Sequence, residues 1–356
     1  MSPTETRSAY RDAGVDIDAQ DRALGKVKKL ARATFTDGVL SEVGSFGGLF
    51  RPDLGGLDEP VLVASTDGVG TKLMVAKMAG DLSTVGLDLV NHCVNDVLVQ
   101  GARPLFFLDY VGAGVLEPKR LVELVDGVAA GCRANGCALL GGETAEMPGF
   151  YSPGDYELVG TIVGLVDRVK ILDGSRVRDG DLLVGLESSG LHTNGYSLAR
   201  RVFFDELGLG VDDPAPIEGS GTVRELLLTP HRSYLEAVAP LLELDGLHAM
   251  AHITGGGLTD NLPRVLPAGH CAEVRVGSWE IPEVFDLLQR QGGVAVEEMF
   301  RVFNMGIGLV LIVDGAVLRE VCARLREAGV RSWVIGSVVA GAEGVAYDLA
   351  CEPVDG

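Results

Sequence analysis

Apolar and polar positions along the chain predict alternating strands and helices. Residues 60–66 form a mostly apolar run, which predicts a buried strand, and residues 73–79 begin a helical pattern. In residues 118–136 apolar side chains recur at spacings of three and four, and Pro118 suits the first turn of the predicted helix. The same reasoning predicts strands at residues 105–111, 137–140, 157–166, 181–187, 248–253, 305–313 and 332–339, the last being the final strand. It predicts further helices at residues 21–32, 86–100, 196–207, 258–266 and 315–328.

A polar, turn-like segment at residues 173–180 divides the chain. We therefore predict two domains, residues 1–172 and residues 173–356, each within the ~100–200 residues usual for a domain. Because strands and helices alternate in both halves, the predicted fold class is α/β or α+β.

Composition narrows the classes of partner. The chain has 356 residues, with 30 Lys and Arg against 50 Asp and Glu, so its formal net charge is −20. Its 47% hydrophobic residues provide ample apolar surface for a folded core. The acidic balance argues against nucleic acid and against an anionic membrane surface as partners. A phosphate ligand would therefore need a divalent cation as a bridge.

The chain also lacks the patterns of secreted and membrane proteins. No apolar run approaches the ~20 residues of a membrane helix, and the six cysteines show no CxxC spacing. Cysteines in mostly apolar surroundings favour buried, reduced thiols over a metal site or a disulfide framework. We expect a soluble cytoplasmic protein.

Three glycine-rich loops share one layout, in which an apolar strand is followed by small residues and then a helix. They lie at residues 67–72, 188–195 and 254–260. Such a loop can direct successive backbone N–H groups at one point beside the positive end of a helix, which predicts phosphate binding. None is a Walker A or a dinucleotide-binding sequence. For each loop alone, an ordinary strand-to-helix turn remains the alternative.

Carboxylates accompany these loops. Asp67 opens the first loop, and Glu143 lies in a Gly-Gly turn after a predicted strand. Asp88, His92 and Asp96 are spaced four apart and therefore share one helix face. Oxygen ligands without a paired Cys or His predict Mg²⁺ rather than Zn²⁺. The alternative for the helix face is a solvated polar stripe.

Three further side chains could serve a phosphate-using site. His192 lies beside Thr193 and Asn194 directly before a predicted helix, so it could contact phosphate or act as an acid or base; a surface histidine is the alternative. Lys72 and Lys28 could each neutralise phosphate charge, although Lys28 in a basic helix could also be simply solvated.

Eight segments together resemble the phosphoribosylformylglycinamidine cyclo-ligase family, nearly end to end from residue 10 to residue 340. They include Ser-Thr-Asp-Gly-Val-Gly-Thr-Lys at 65–72, Gly-Gly-Glu-Thr-Ala-Glu-Met-Pro-Gly at 141–149, Gly-Leu-His-Thr-Asn-Gly-Tyr-Ser-Leu at 190–198 and His-Ile-Thr-Gly-Gly-Gly at 252–257. The others lie at 10–18, 44–48, 94–102 and 303–308. Asp-Gly-Val-Gly-Thr-Lys alone would indicate only the wider ATP-binding superfamily, which includes selenophosphate synthetase and formylglycinamide ribonucleotide amidotransferase. The Glu-Met-Pro-Gly and His-Thr-Asn-Gly-Tyr segments narrow the resemblance to the cyclo-ligase family.

This resemblance implies a homodimer whose N-terminal sheets pair into a shared barrel, with an α/β second domain beside each cleft. It implies an ATP-dependent ring closure of formylglycinamidine ribonucleotide to aminoimidazole ribonucleotide in purine biosynthesis. The implied cofactors are ATP and Mg²⁺, and a requirement for a monovalent cation is left open. The implied partners are the small ribonucleotide substrate and a second copy of the chain.

The roles that follow from this resemblance are hypotheses. Asp67, Asp96 and Glu143 are assigned to Mg²⁺, and His192, Asp67 and Lys72 to catalysis. The residues assigned to ATP are Lys28, Gly68, Gly70, Thr71, Lys72 and Asn95. Those assigned to the substrate are Thr193, Asn194, Gly255, Gly256 and Gly257. The general base and the lysine that meets each phosphate stay open.

Two other functions compete with this assignment. One is another ATP-using synthetase or kinase of the same superfamily, and the other is a catalytically silent nucleotide-binding protein. Loss of the acidic set would favour the silent protein, and here the set is present. Product analysis would distinguish the other synthetase or kinase.

Overall fold

A mixed four-stranded sheet organises the first half of the computed structural model, which describes residues 17–348, with residues 17–22 described by their backbone alone. Its strands are β1 (Pro60–Gly68), β2 (Arg103–Ala113), β3 (Ala138–Glu146) and β4 (Tyr156–Asp167). They lie in the order β1-β4-β2-β3, with β2 and β3 parallel and the other pairs antiparallel.

Helices cover one face of this sheet. They are α1 (Ile17–Arg32), α3 (Val85–Leu98) and α4 (Pro118–Ala134), whereas α2 (Lys72–Ala79) packs against α3. The axes of α3 and α4 approach closely at glycines: a Cβ on Gly86 would lie 2.4 Å from the carbonyl oxygen of Leu124. On the other face the alternate residues of β1 stay exposed, and Leu62 keeps 63% of its surface open.

The second half forms a six-stranded sheet from β5 (Leu182–Glu187), β6 (Leu247–His252), β7 (His270–Arg275), β8 (Ile307–Val313), β9 (Ser332–Ala340) and β10 (Gly344–Asp348). The order is β10-β7-β9-β5-β8-β6, and only the pairing of β10 with β7 is parallel among these described strands. Its helices are α5 (Tyr196–Arg200), α6 (Val223–Leu227), α7 (Leu235–Val238), α8 (Gly257–Asn261), α9 (Glu283–Gly292), α10 (Val296–Val302) and α11 (Leu318–Glu327).

Most predicted elements are confirmed, and two predictions are wrong. The strand at residues 332–339 is not the final one, because β10 follows it. The predicted helix at residues 196–207 is α-helical only over α5 and continues as a π-helical turn from Arg201–Glu206. Strand β7 was not predicted, because only Cys271, Ala272 and Val274 of its six residues are buried, too few for a clear alternating pattern.

Within residues 17–348 no helix is both long enough and apolar enough to cross a lipid bilayer.

Candidate functional site

The polar face of α3 is buried between the two halves of the chain. Asp88 and Asn95 are fully buried, and His92 keeps only 4% of its surface exposed. These residues recur every three or four positions, so one helix face carries them all. The alternative of a solvated stripe is wrong for this face, because loops of the second half cover it.

A chain of close polar contacts joins this face to both sheets. His92 Nε2 lies 2.9 Å from Asp67 Oδ2, at the end of β1, and 3.8 Å from Asp96 Oδ2. Asp96 also accepts a hydrogen bond from Ser65 Oγ at 2.9 Å and lies 2.8 Å from Nδ1 of His252, at the end of β6. Asp67 and Asp96 therefore come together as predicted, but each is paired with a histidine.

The charges of this cluster support one another. Burial by itself would raise the pKa of Asp67, but the hydrogen bond and charge of His92 outweigh it and lower that pKa. Asp96 behaves in the same way toward His252, so its pKa is also lowered despite burial. Burial disfavours a charged His92, yet the contacts with Asp67 and Asp96 outweigh it and raise its pKa.

Lys72 does not lie where the phosphate hypothesis places it. Its Nζ is fully buried, 2.9 Å from the carboxylate of Asp88, and donates to the carbonyl oxygens of His192 at 3.2 Å and Thr229 at 2.8 Å. The ammonium group thus makes these hydrogen bonds inside the protein. Its position supports a structural link between α2, α3 and the two loops, not a phosphate contact.

Asn95 also has a structural use. Its Nδ2 donates to the carbonyl of Arg232 at 2.9 Å, and its Oδ1 accepts the backbone N–H of Tyr234 at 3.0 Å. Both hydrogen bonds hold the segment around residue 232 against α3, so Asn95 has no free group for ATP.

Glu143 lies apart from the other two carboxylates. Across the sheet, Glu143 on β3 pairs with Tyr110 on β2, Tyr110 pairs with Val159 on β4, and Val159 pairs with Gly68 on β1. Glu143 therefore lies three strand spacings from β1. Three strand spacings amount to about 14 Å, and a residue in line with Gly68 points to the opposite face from Asp67. Within one chain the fold therefore brings Asp67 and Asp96 together but does not bring Glu143 to them.

Glu143 instead lines a cavity of about 710 Å³ together with Lys28. The cavity lies between α1, residues 42–48 and the edge strand β3. Lys28 reaches over this loop, because a Cβ on Gly44 would lie 2.8 Å from its Nζ. Two of the predicted ligand residues thus face one concave site, whose size suits a small molecule.

The loop at residues 188–195 holds His192 in an uncommon backbone conformation, with φ at 59°. Its ring stacks on that of His231 at 4.0 Å between centroids, and its Nε2 accepts the backbone N–H of Ser189 at 3.1 Å. Burial, then the charges of neighbouring histidines and Lys72, hold the pKa of His192 well below its usual value. His192 is therefore a buried neutral imidazole, and the surface alternative is wrong.

The two residues after His192 differ in whether their polar side-chain groups have hydrogen-bond partners. Thr193 Oγ1 is used by His92 Nδ1 at 2.9 Å and His231 Nδ1 at 3.3 Å. Asn194 Nδ2 is buried with no hydrogen-bond partner in the described part of the chain. A buried donor without a partner is costly unless a ligand satisfies it.

The residues of the other two glycine-rich loops also differ, since some are exposed and others are held by packing or by a hydrogen bond. Gly70 is exposed with φ at 67° and open space around it, Gly68 donates its N–H to Asp67 at 2.6 Å, and Thr71 is exposed. Gly255 is exposed and Gly256 is half-buried in the left-handed region. Gly257 is buried for packing, because a Cβ there would lie 2.0 Å from the carbonyl oxygen of Phe300.

Sequence reasoning missed His231 and assigned no site role to His252. His231 follows a proline in an irregular segment, so neither spacing nor motif marks it. Its Nε2 lies 3.1 Å from His252 Nε2, and this contact links a loop to the end of β6. Only the folding of distant segments brings these rings together.

Solved structures share this fold at low identity. A thiamine-monophosphate kinase from Stenotrophomonas maltophilia aligns with a TM-score of 0.68 and 19% identity, over 94% of this chain and 96% of that one. A hydrogenase maturation protein HypE in complex with ATP aligns with a TM-score of 0.64 and 21% identity, over 95% and 94%.

Sequence comparison is more specific. The family model for the N-terminal domain of AIR synthase related proteins matches residues 53–166, and that for the C-terminal domain matches residues 178–348. Phosphoribosylformylglycinamidine cyclo-ligase of Trichlorobacter lovleyi is 50% identical over 335 residues, covering 94% of this chain and 96% of the relative. The enzyme of that name from Nitratidesulfovibrio vulgaris is 52% identical over 337 residues, covering 94% and 95%. With half its residues shared over almost its whole length, the chain belongs to the phosphoribosylformylglycinamidine cyclo-ligase family.

Proposed function

We propose that this protein catalyses the ATP-dependent cyclisation of formylglycinamidine ribonucleotide to aminoimidazole ribonucleotide, with ADP and phosphate as the other products. The observation that carries the proposal is the identity of about half of all residues to relatives of that name over 94% of the chain. The reaction belongs to de novo purine biosynthesis.

The chemistry explains the need for ATP. An amide oxygen is a poor leaving group, so the γ-phosphoryl group is first transferred to the formyl oxygen. A nitrogen of the amidine then attacks the formyl carbon, closes the five-membered ring and expels phosphate with the C–O bond. The protein mainly has to position the two substrates and stabilise developing charge.

The cavity beside Lys28 is the best candidate for the nucleotide. Its volume of about 710 Å³ suits a nucleoside, its wall is largely apolar, and Lys28 supplies a cation at its rim. HypE, a protein of this fold, has been solved in complex with ATP. Gly68, Gly70 and Thr71 are exposed or half-buried at the end of β1 and remain candidates for phosphate contacts.

The second loop is the best candidate for the ribonucleotide. Asn194 Nδ2 offers a buried donor without a partner among the described residues, and Gly255 lies next to it, since a Cβ there would be 3.3 Å from Asn194 Oδ1. Gly255 and Gly256 allow close approach of a ligand to the backbone. A substrate oxygen bound here would satisfy Asn194.

His192 fits a positioning role better than proton transfer. Ser189 donates to its Nε2, so the proton of the neutral ring is on Nδ1, which has no acceptor within residues 17–348. The ring can donate a hydrogen bond from Nδ1 but is not a charged acid. Its φ of 59° and the stack on His231 fix the loop that carries Thr193 and Asn194.

We also propose that the protein is a homodimer through the open face of the first sheet. In one chain this face carries exposed apolar side chains, of which Leu62 is 63% open. A half-uncovered sheet with exposed aliphatic side chains is a favourable surface for a second copy.

Product formation tests the proposed activity directly. Purified protein with ATP and formylglycinamidine ribonucleotide should release ADP and aminoimidazole ribonucleotide in equal amounts, detected by chromatography. Lys28→Met should raise the KM for ATP, whereas Lys26→Met, two residues away and exposed, should leave it unchanged. Hydrolysis of ATP without ring closure, or phosphorylation of another nucleophile, would reject the proposal.

A further inference from the structure

Asp109 places a carboxyl group on the helix-covered face of the first sheet. It lies on β2 between Phe107 and Val111, which share its face and are both fully buried in the apolar core. Its side chain lines the cavity of about 710 Å³ beside Lys28. A carboxyl group in such surroundings costs free energy unless a hydrogen-bond partner satisfies it.

The two neighbouring strands offer Asp109 no side chain as a partner. In the register of the sheet, Asp109 pairs with Gly142 on β3 and with Gly160 on β4. A Cβ on Gly142 would lie 2.1 Å from Asp109 Oδ1, so a larger residue there would displace the carboxyl group. Both cross-strand positions from which a strand residue usually receives its side-chain contacts are therefore glycine.

Strand β3 is also irregular beside Asp109. The register of β2 against β3 shifts between residues 107 and 108, so Leu140 is an extra residue that forms a bulge. Bulges often lie next to functional sites, where they change the direction of side chains. Leu140 and the two glycines that follow it all line the cavity, which leaves the carboxyl group open to it.

No cation among the described residues pairs with Asp109, and its own backbone N–H is the donor that it contacts. The titratable groups on the elements around it are Lys28 on α1, Glu42 on the loop of residues 42–48, Glu143 on β3 and Cys132 on α4. Burial keeps the Cys132 thiol neutral, because it raises the pKa of that thiol well above its usual value. Burial likewise raises the pKa of Asp109 to about 7.

A neutral carboxyl group carries a hydrogen-bond donor and an acceptor side by side. The amino edge of adenine presents the complementary pair, because the N6 amino group donates and the ring nitrogen beside it, N1 or N7, accepts. An ionised carboxylate only accepts, so it suits two adjacent donors, such as N1–H and the 2-amino group of guanine. The protonation state of such a residue therefore decides which purine it prefers.

We propose that Asp109, as the neutral acid, selects adenine in this cavity by accepting a hydrogen bond from the N6 amino group and donating one to N1 or N7. The inference rests on the proposed function, which places the nucleotide in the cavity. Leu121, Val125 and Leu139 also line the cavity, and such apolar side chains suit the faces of a purine ring.

The test measures binding of nucleotides to the full-length protein by calorimetry, without the amidine substrate. Purine riboside triphosphate, which lacks the N6 amino group, should bind about 5- to 150-fold more weakly than ATP, the range expected when a buried partner is left unsatisfied. One of 1-deaza-ATP and 7-deaza-ATP should lose a similar factor, since the acid donates to N1 or to N7.

Two substitutions at Asp109 separate its hydrogen bonds from its charge. Asp109→Leu should weaken ATP binding by the same factor and should bind purine riboside triphosphate and ATP equally. Asp109→Asn keeps a donor and an acceptor, so it should bind ATP as the unaltered protein does near pH 7. Asp126→Asn is the matched control, because Asp126 is exposed on α4 beside the cavity-lining Val125, and it should change neither affinity nor discrimination.

The pH dependence provides a second measurement. Above pH 7 the acid ionises and loses its donor, so ATP affinity of the unaltered protein should fall by up to about tenfold per pH unit. Asp109→Asn does not titrate, so the difference between the two proteins removes the titration of the nucleotide and of Lys28, Glu42 and Glu143.

If Asp109→Leu fails to fold, the analogues and the pH profile of Asp109→Asn decide. Equal affinity of the unaltered protein for ATP, purine riboside triphosphate and both deaza analogues, or equal pH profiles of the unaltered and Asp109→Asn proteins, would overturn the inference. Product formation in the same preparation distinguishes the two proposals: ring closure without discrimination between analogues refutes this inference alone, and discrimination without ring closure refutes the proposed function alone.

Discussion

The buried pair of Lys72 and Asp88 provides the sharpest test of the site. In Lys72→Met the fully buried carboxylate of Asp88 loses its counter-charge and keeps the hydrogen bond from the backbone N–H of His231 at 2.6 Å. Removing one member of a buried pair costs about 3–5 kcal/mol, because the remaining charge is left uncompensated. The free energy of unfolding, measured by urea denaturation at fixed protein concentration, should fall by that amount.

Lys77→Met is the matched control on the same helix. Lys77 pairs with Asp155 at 2.6 Å, but both side chains are partly exposed, at 42% and 33%. Such a pair contributes about 0–1 kcal/mol. The two lysines therefore share length, charge and helix, and differ mainly in burial.

The same variants decide between the two roles considered for Lys72. A structural link predicts that Lys72→Met loses stability and turnover together, since the loop that carries His192 is held by Lys72 Nζ. If Lys72→Met matched Lys77→Met in stability and only the KM for ATP increased, the reasoning would be refuted and a phosphate contact would regain support.

Three further predictions follow from burial and packing. Gly25→Ala, in the open middle of α1, should stabilise the protein by about 0.5–1 kcal/mol. Gly86→Ala should destabilise it by about 1–3 kcal/mol, because the new Cβ would lie 2.4 Å from the backbone of α4. Equal effects of the two substitutions in thermal denaturation would contradict this packing. Burial holds the pKa values of His192 and His231 well below the usual 6.5, so their stabilising contribution is present above that pH and is lost as the pH falls. The unfolding free energy should therefore decrease by about 1.4 kcal/mol per pH unit for each of the two histidines below pH 6.5. His231→Gln should remove the contribution of one histidine to this pH dependence, and an unchanged dependence in that variant would argue against neutral burial. Leu62→Glu should shift the protein from dimer to monomer in light scattering after size exclusion, and a monomeric unaltered protein would exclude the proposed dimer.

The local pattern of residues was enough to predict most elements. Runs of apolar residues in β1 and β8, and the spacing of three and four in α4, depend on neighbours within one element, so the sequence alone reveals them. It also placed Asp88, His92 and Asp96 on one helix face, because that inference needs only the helical repeat.

Tertiary structure decided what that face does. Whether it met water or protein depended on loops more than a hundred residues away, and no spacing within α3 contains that information. Burial also changed the role assigned to Lys72, because its ammonium group pairs with a carboxylate inside the protein and not with a phosphate.

The predicted metal site shows the same division. The sequence identified Asp67 and Glu143 as carboxylates after predicted strands and Asp96 as a carboxylate on a helix face, and the family followed from ordered motifs. Only strand order separates Glu143 from Asp67 by about 14 Å, the width of three strand spacings, and only chain folding brings His252 to Asp96. Local spacing determines which side chains share a face, whereas the pairing of distant segments determines which charges meet.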